Sequence, residues 1–169
     1  MASGIDLQDN IKVAVRVRPL NKRETELDSP VVVFMNKNQT LLKSSPNSPD
    51  SSSKTFAFDY CFESTDKNSK SYASQEDVFC NLGEYILTNA LNGYNACMFA
   101  YGQTGSGKTY TMMGNQASPG VIPRLCEALF ERSKKFTFPK TCYTPQLHFT
   151  VRKGKPGEND FISKCITFQ

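Results

Sequence analysis

Residues Gly102-Gln103-Thr104-Gly105-Ser106-Gly107-Lys108-Thr109 satisfy G-x-x-x-x-G-K-[ST], and the five residues before Tyr101, Ala96-Cys97-Met98-Phe99-Ala100, are apolar throughout. An unbroken apolar run of strand length is what a strand buried on both faces presents. The order is therefore strand, tight glycine loop, then a helix beginning near Lys108 and running into Tyr110-Thr111-Met112-Met113. The glycines let the backbone wrap so that its N–H groups point inward at phosphate oxygens. Lys108 brings a point charge to the β- and γ-phosphates, the Thr109 hydroxyl is placed to ligate Mg²⁺, and the helix start aims its positive dipole end at the same anion.

Such a loop names a nucleoside triphosphate and no more; ATPase, GTPase, kinase and mechanical motor all remain open. Phosphoryl transfer wants a second acidic residue for Mg²⁺ and a group that orients water. Residues 110–169 contain no four-residue apolar run ending in Asp, and Asp160 follows Gly157-Glu158-Asn159, a solvated turn. Asp59 ends an alternating strand but precedes the loop and reads as structural. No catalytic residue is identifiable, and hydrolysis is unsupported by these residues.

Composition narrows the setting. No stretch of the 169 residues approaches the ~18 consecutive apolar residues of a membrane span. Met1-Ala2-Ser3-Gly4-Ile5-Asp6 lacks the basic and apolar regions of a secretory signal. Cys61, Cys80, Cys97, Cys126, Cys142 and Cys165 are widely spaced, without Cys-x-x-Cys and with only His148 to help hold a metal. Reduced thiols in a cytoplasmic chain are expected. The net charge of +4 permits an acidic partner without demanding one; nucleic acid is not expected.

Ile11–Val17 is apolar at every odd position, a half-buried strand ended by Arg18-Pro19. Asn21–Asp28 is charged and reads as a solvated loop. Val31–Met35 and Thr40–Lys43 form a strand pair around a turn at Lys37-Asn38, and Asn38-Gln39-Thr40 would matter as a glycosylation acceptor only in a secreted chain. Ser44–Ser53 contains no apolar residue and reads as a mobile surface loop. Lys54–Phe62 alternates as one strand, with Phe56, Phe58, Tyr60 and Phe62 on one side. Ser74 caps a helix with Glu76 and Asp77 in its first turn and Val78, Leu82, Ile86 and Ala90 recurring every four residues; Asn92-Gly93 stops it.

Together these residues resemble the N-terminal part of a kinesin motor domain. Ile11–Asn21, with Arg16-Val17-Arg18-Pro19, is similar to the family's first core strand and adenine-side motif. Phe56–Tyr60 resembles the strand before its first major helix, and Gly93–Gly114 resembles its P-loop block almost position by position. Gly120–Arg124 and Leu125–Arg132 look like the resumption of the P-loop helix after a surface loop. Tyr72-Ala73-Ser74-Gln75-Glu76 and Tyr110 lean towards the kinesin-three class. The resemblance implies an α/β fold, a P-loop NTPase αβα sandwich with a mixed central sheet, incomplete in this chain. It implies ATP and Mg²⁺ as cofactors, a microtubule (tubulin) partner and a cytoplasmic, cytoskeleton-associated location. By position, Arg16 and Pro19 would flank the adenine, Tyr110 would stack on it, and Gly102–Thr109 would hold phosphates and metal.

The expected organisation is an N-terminal extension over 1–10, the motor segment over 11–141 and a divergent tail over 142–169. After Thr141 the family's Glu-Ile-Tyr-Asn-Glu, Asn-x-x-Ser-Ser-Arg-Ser-His and Asp-x-x-Gly-Ser-Glu motifs are absent. Leu147–Val151 alternates weakly, Lys153–Asp160 is a polar turn and Phe161–Phe168 a short mixed stretch. The favoured reading is a tail outside the family pattern, from alternative splicing or an incorrect gene model; a hairpin is the other. Three functions follow: the ATP-binding portion of a microtubule motor, a truncated nucleotide-binding or inactive fragment lacking the switch regions and the microtubule-binding surface, and a non-kinesin P-loop kinase, which Arg16–Pro19 and Tyr101–Thr104 count against.

Overall fold

The computed structural model describes residues 11–45, 52–135, 147–152 and 163–168. The expected extension over 1–10 and most of the Ser/Pro stretch, residues 46–51, lie outside the described residues. The chain divides into two compact units between Tyr72 and Ala73, and each is taken by itself.

In the first unit, strand β1 (Ala14–Val17) runs parallel to β5 (Tyr60–Glu63), with Ala14 opposite Tyr60. The alternating pattern from Ile11 shortens at its start because Asp59 holds that backbone instead: its carboxylate accepts from the Val13 N–H at 2.8 Å, and its own N–H donates to the Val13 carbonyl. Asp59 is structural, as expected. Strands β2 (Val33–Asn36), β3 (Gln39–Leu42) and β4 (Lys54–Ala57) form an antiparallel meander, β2 and β3 joined at Lys37, which takes φ 51°. The expected single strand over 54–62 is therefore two. β4 pairs with β3 and β5 with β1, so the chain changes partners at Phe58-Asp59, where the Phe58 N–H turns to the Asn38 carbonyl. Phe62 is buried, its ring stacked on Tyr60 at 6.0 Å.

The charged run 21–28 is not a plain loop. Lys22–Glu26 is a short helix, α1, closed by a capping box in which Asn21 accepts from the Glu24 N–H and Glu24 accepts from the Asn21 N–H. Five residues cannot sustain a helix on propensity alone; the box and a two-pronged ion pair hold it. Arg18 donates through both terminal nitrogens to Glu24, at 2.7 and 2.8 Å. That pair, with the Asn21 N–H second, brings the Glu24 carboxyl down from 4.5 to about 2. Because the folded value is depressed, the contribution is complete above the ordinary carboxylate range and is lost as pH falls towards 2. In Arg18→Gln the Glu24 carboxyl carbon should titrate close to the ordinary value by NMR; an unmoved titration would refute the pairing as its cause.

The second unit opens with α2 (Gln75–Val78), capped by Ser74 as the sequence predicts; Asp77 completes a capping box with it, and the Ser74 hydroxyl holds the Asp77 carboxyl below its usual range. The regular four-residue stripe does not persist. Phe79–Gly83 is π-helical before α3 (Glu84–Leu91) resumes. Two side chains account for the extra residue. The Asn81 amide donates to the Asp77 carbonyl at 2.7 Å, and the Phe79 ring lies where a Cβ on Gly83 would sit. Val78, Phe79, Ile86 and Leu87 are consequently the buried apolar side chains, while Leu82 is half-buried. Gly93 ends the helix at φ 83°, the left-handed stop expected of it.

Strand β6 (Ala96–Ala100) follows, and the expectation that both its faces are buried fails. Ala96, Met98 and Ala100 are half-buried, but Cys97 is exposed and Phe99 is 66% exposed. An all-apolar run does not say which face other elements will cover. Helices α4 (Lys108–Met112) and α5 (Val121–Lys135) bury Met112, Val121, Ile122, Leu125 and Leu129, completing the core begun by α2 and α3. Between them, β7 (Gly114–Asn115) and β8 (Ser118–Pro119) form a two-rung hairpin. In the tail, β9 (Leu147–Arg152) pairs antiparallel with β10 (Ser163–Phe168), which pairs antiparallel with β6, Cys165 opposite Phe99. Among the described residues no helix is long and apolar enough to cross a membrane.

Candidate phosphate-binding loop

The loop between β6 and α4 takes the form its glycines permit. Gly102, Gly105 and Gly107 have φ of 148°, 80° and 96°, values that side-chain-bearing residues avoid. A Cβ on Gly102 would sit 2.7 Å from the Ser106 hydroxyl, which would have to turn away. The Ser106 N–H closes a turn on the Gln103 carbonyl, and Gly107 stands as the left-handed residue immediately before α4. Amides in that first turn have no acceptor within their own helix, which is what makes a helix start receptive to an anion.

Lys108 is buried, at 7% exposure, and its ammonium donates to the Gly102 carbonyl at 2.6 Å, the Gln103 carbonyl at 2.5 Å and the Ser106 hydroxyl at 3.5 Å. A buried cation needs acceptors, and here the loop itself supplies them, so the charge is held at the centre of the cradle. Thr109 and Tyr110 are exposed beside it, while Gln103, Thr104 and Gly105 form the outer rim. The donor set suits a phosphate chain: one ammonium, glycine-rich backbone without obstructing Cβ atoms, and a hydroxyl at Thr109 for a hard cation. Among the described residues no group of three His, Cys, Asp or Glu could hold a metal.

Gly102–Tyr110 thus come together on one loop and helix start of the second unit. Arg16 and Pro19 belong to the first unit. There the Arg16 Nε donates to the Ser64 hydroxyl at 2.9 Å, and the Pro19 carbonyl accepts from Arg18 at 2.7 Å. Two further residues escaped the sequence reading. Gln75 is 2% exposed and donates to the Tyr110 carbonyl at 2.6 Å. Glu24 pairs with Arg18 inside the Arg-Pro segment. Asn21-x-x-Glu24 was the legible signal for the second; for the first, it was an amide standing at a helix start where a carboxylate is favoured.

With that geometry in hand, the similarities are specific. The family model described as the kinesin motor domain matches residues 16–152, past Thr141 and through β9. Kinesin-like protein KIF13B of Homo sapiens is 53% identical over 131 residues, covering 74% of this chain and 7% of that protein. Kinesin-like protein KIF16B of Mus musculus is 48% identical over 135 residues, covering 76% of this chain and 10% of that protein. Among solved structures, a KIF14 dimer in a two-heads-bound state with AMP-PNP on a microtubule has TM-score 0.74 at 38% identity, covering 89% of this chain and 43% of that one. A KIF14 chain with ADP in complex with a microtubule has TM-score 0.69 at 34% identity, covering 90% and 48%. The chain therefore spans about a tenth or less of these curated relatives and under half of these solved chains.

Proposed function

The chain belongs to the kinesin motor domain family, with relatives in the kinesin-three class, and on that premise we propose that it is the ATP-binding portion of a microtubule motor. The observation that carries the proposal is the Lys108 ammonium, buried among the Gly102 and Gln103 carbonyls at the centre of a three-glycine loop. Lys108 would exchange those carbonyls for β- and γ-phosphate oxygens, a charge-assisted replacement for neutral acceptors. The backbone of Gln103–Lys108 would wrap the phosphates and the Thr109 hydroxyl would take one position on Mg²⁺. When bound, Mg²⁺ neutralises charge on the phosphate oxygens. Tyr110 would stack on the adenine, since an aromatic face suits a flat base.

The KIF14 structures were solved on microtubules with ADP or AMP-PNP, and the proposal extends both the nucleotide and the microtubule to this chain, with a cytoskeletal location. A thermal melt of the 169-residue chain tests the nucleotide arm. Mg-ATP at ~100 times Kd should stabilise it by about 2.7 kcal/mol, and omitting Mg²⁺ should remove most of the shift. A cooperative transition indifferent to Mg-ATP would overturn the reading. Co-sedimentation with taxol-stabilised microtubules tests the second arm separately.

A further inference from the structure

Gln75 occupies the first position of α2, directly after the Ser74 cap. Negative side chains are favoured at such a position, yet an uncharged amide stands here, 2% exposed. Burying an amide is unfavourable unless its donors are used. The Gln75 Nε2 donates to the Tyr110 carbonyl at 2.6 Å and reaches the Ser118 carbonyl at 3.5 Å. Both acceptors lie far along the chain, one on α4 and the other on β8. The Tyr110 carbonyl belongs to the last four of a five-residue helix, carbonyls that a helix does not satisfy by itself. A carboxylate at position 75 could not donate to them; glutamine has the reach and the N–H.

We infer that Gln75 is a positioning residue for the nucleotide base: by gripping the Tyr110 backbone it fixes where the Tyr110 ring stands. The inference rests on the proposed stacking of Tyr110 on adenine. With its backbone anchored, the half-exposed ring has only two side-chain torsions left to settle before it can lie against a purine. Anchoring the backbone lowers the ordering cost on binding. The phosphate end of the ligand gains nothing from this bond, because Gly102–Lys108 are built by their own glycines and the Lys108 contacts.

The test compares binding of Mg-ATP and Mg-tripolyphosphate, the same phosphate chain without a base, by calorimetry on the 169-residue chain. Gln75→Met preserves length and apolar packing and removes the donor. It should weaken Mg-ATP about tenfold, the cost of ordering a Tyr110 side chain no longer anchored, and leave tripolyphosphate within about twofold. Gln75→Asn, one methylene short of the Tyr110 carbonyl, should behave alike and serves if the methionine variant gives no cooperative melt. Equal losses for both ligands, or none for either, overturn the inference in favour of a merely structural glutamine. Tyr110→Ala separates the underlying reading. If it leaves the preference for ATP over tripolyphosphate intact, the stacking itself is wrong and the inference falls with it, whatever Gln75 does.

Discussion

Lys108→Ala should erase nearly all of the Mg-ATP-dependent stabilisation while leaving a cooperative transition. The ammonium is the only charge on the loop Gly102–Thr109 and is buried there. Its bonds to phosphate oxygens would be charge-assisted on both sides, the strongest class available to a side chain. Losing about 2–3 kcal/mol of such interaction weakens binding about 100-fold. An ATP concentration of ~100 times the wild-type Kd then stands near the variant's Kd, and the stabilisation falls from about 2.7 to about 0.4 kcal/mol. Folding itself should survive. The Gly102 and Gln103 carbonyls that lose the ammonium lie near the exposed rim, where water can replace it, and the buried residues of α3 and α5 do not depend on it. Full retention of the ATP-dependent shift by a folded Lys108→Ala chain would refute the assignment of this loop as the phosphate site.

What could be read from the sequence divides along a physical line. Features written in a contiguous window were legible: the Ser74 cap, the Gly93 stop, the turn at Lys37, and the strand–loop–helix order around Gly102–Thr109. Each depends on a local backbone preference that a residue type reports directly. Features that depend on a distant partner were not. The break at Phe58-Asp59 follows from β4 and β5 choosing different neighbours, which no alternation pattern encodes. The π-helical stretch at Phe79–Gly83 follows from one ring filling the space over one glycine, and Gln75 gains its role only when Tyr110 arrives from far along the chain. The α1 helix is an intermediate case. Its capping box was visible as Asn21-x-x-Glu24, but the run of charges concealed it, because charge runs are ordinarily solvated. The exposure of Phe99 shows the reverse error: hydrophobicity reports what a strand could bury, and the covering elements decide what it does bury.

The hairpin between α4 and α5 offers the sharpest structural test, because its two glycines are needed for different reasons than those of the phosphate loop. Gly114 combines φ 69° with a site where a Cβ would lie 2.2 Å from the Ser118 carbonyl oxygen, 2.3 Å from the Gly120 nitrogen and 2.7 Å from the Pro119 carbonyl carbon. All three are backbone atoms, so no side chain can rotate away. Gly120 is hemmed in likewise: a Cβ there would lie 2.6 Å from the Met112 carbonyl, while its N–H donates to the Met113 carbonyl. Gly114→Ala must therefore open the β7–β8 hairpin, and with it the Ser118 carbonyl that Gln75 reaches. Left-handed strain alone costs about 1–2 kcal/mol, and displacing packed backbone brings the total above about 3 kcal/mol, or roughly 10 °C in melting temperature. Gly93→Ala is the matched control. Its φ of 83° imposes the same strain, but nothing lies within 4 Å of the new methyl group, so about 1 kcal/mol is expected. Equal melting temperatures for the two variants would mean that left-handed strain, rather than backbone contact across the hairpin, accounts for Gly114.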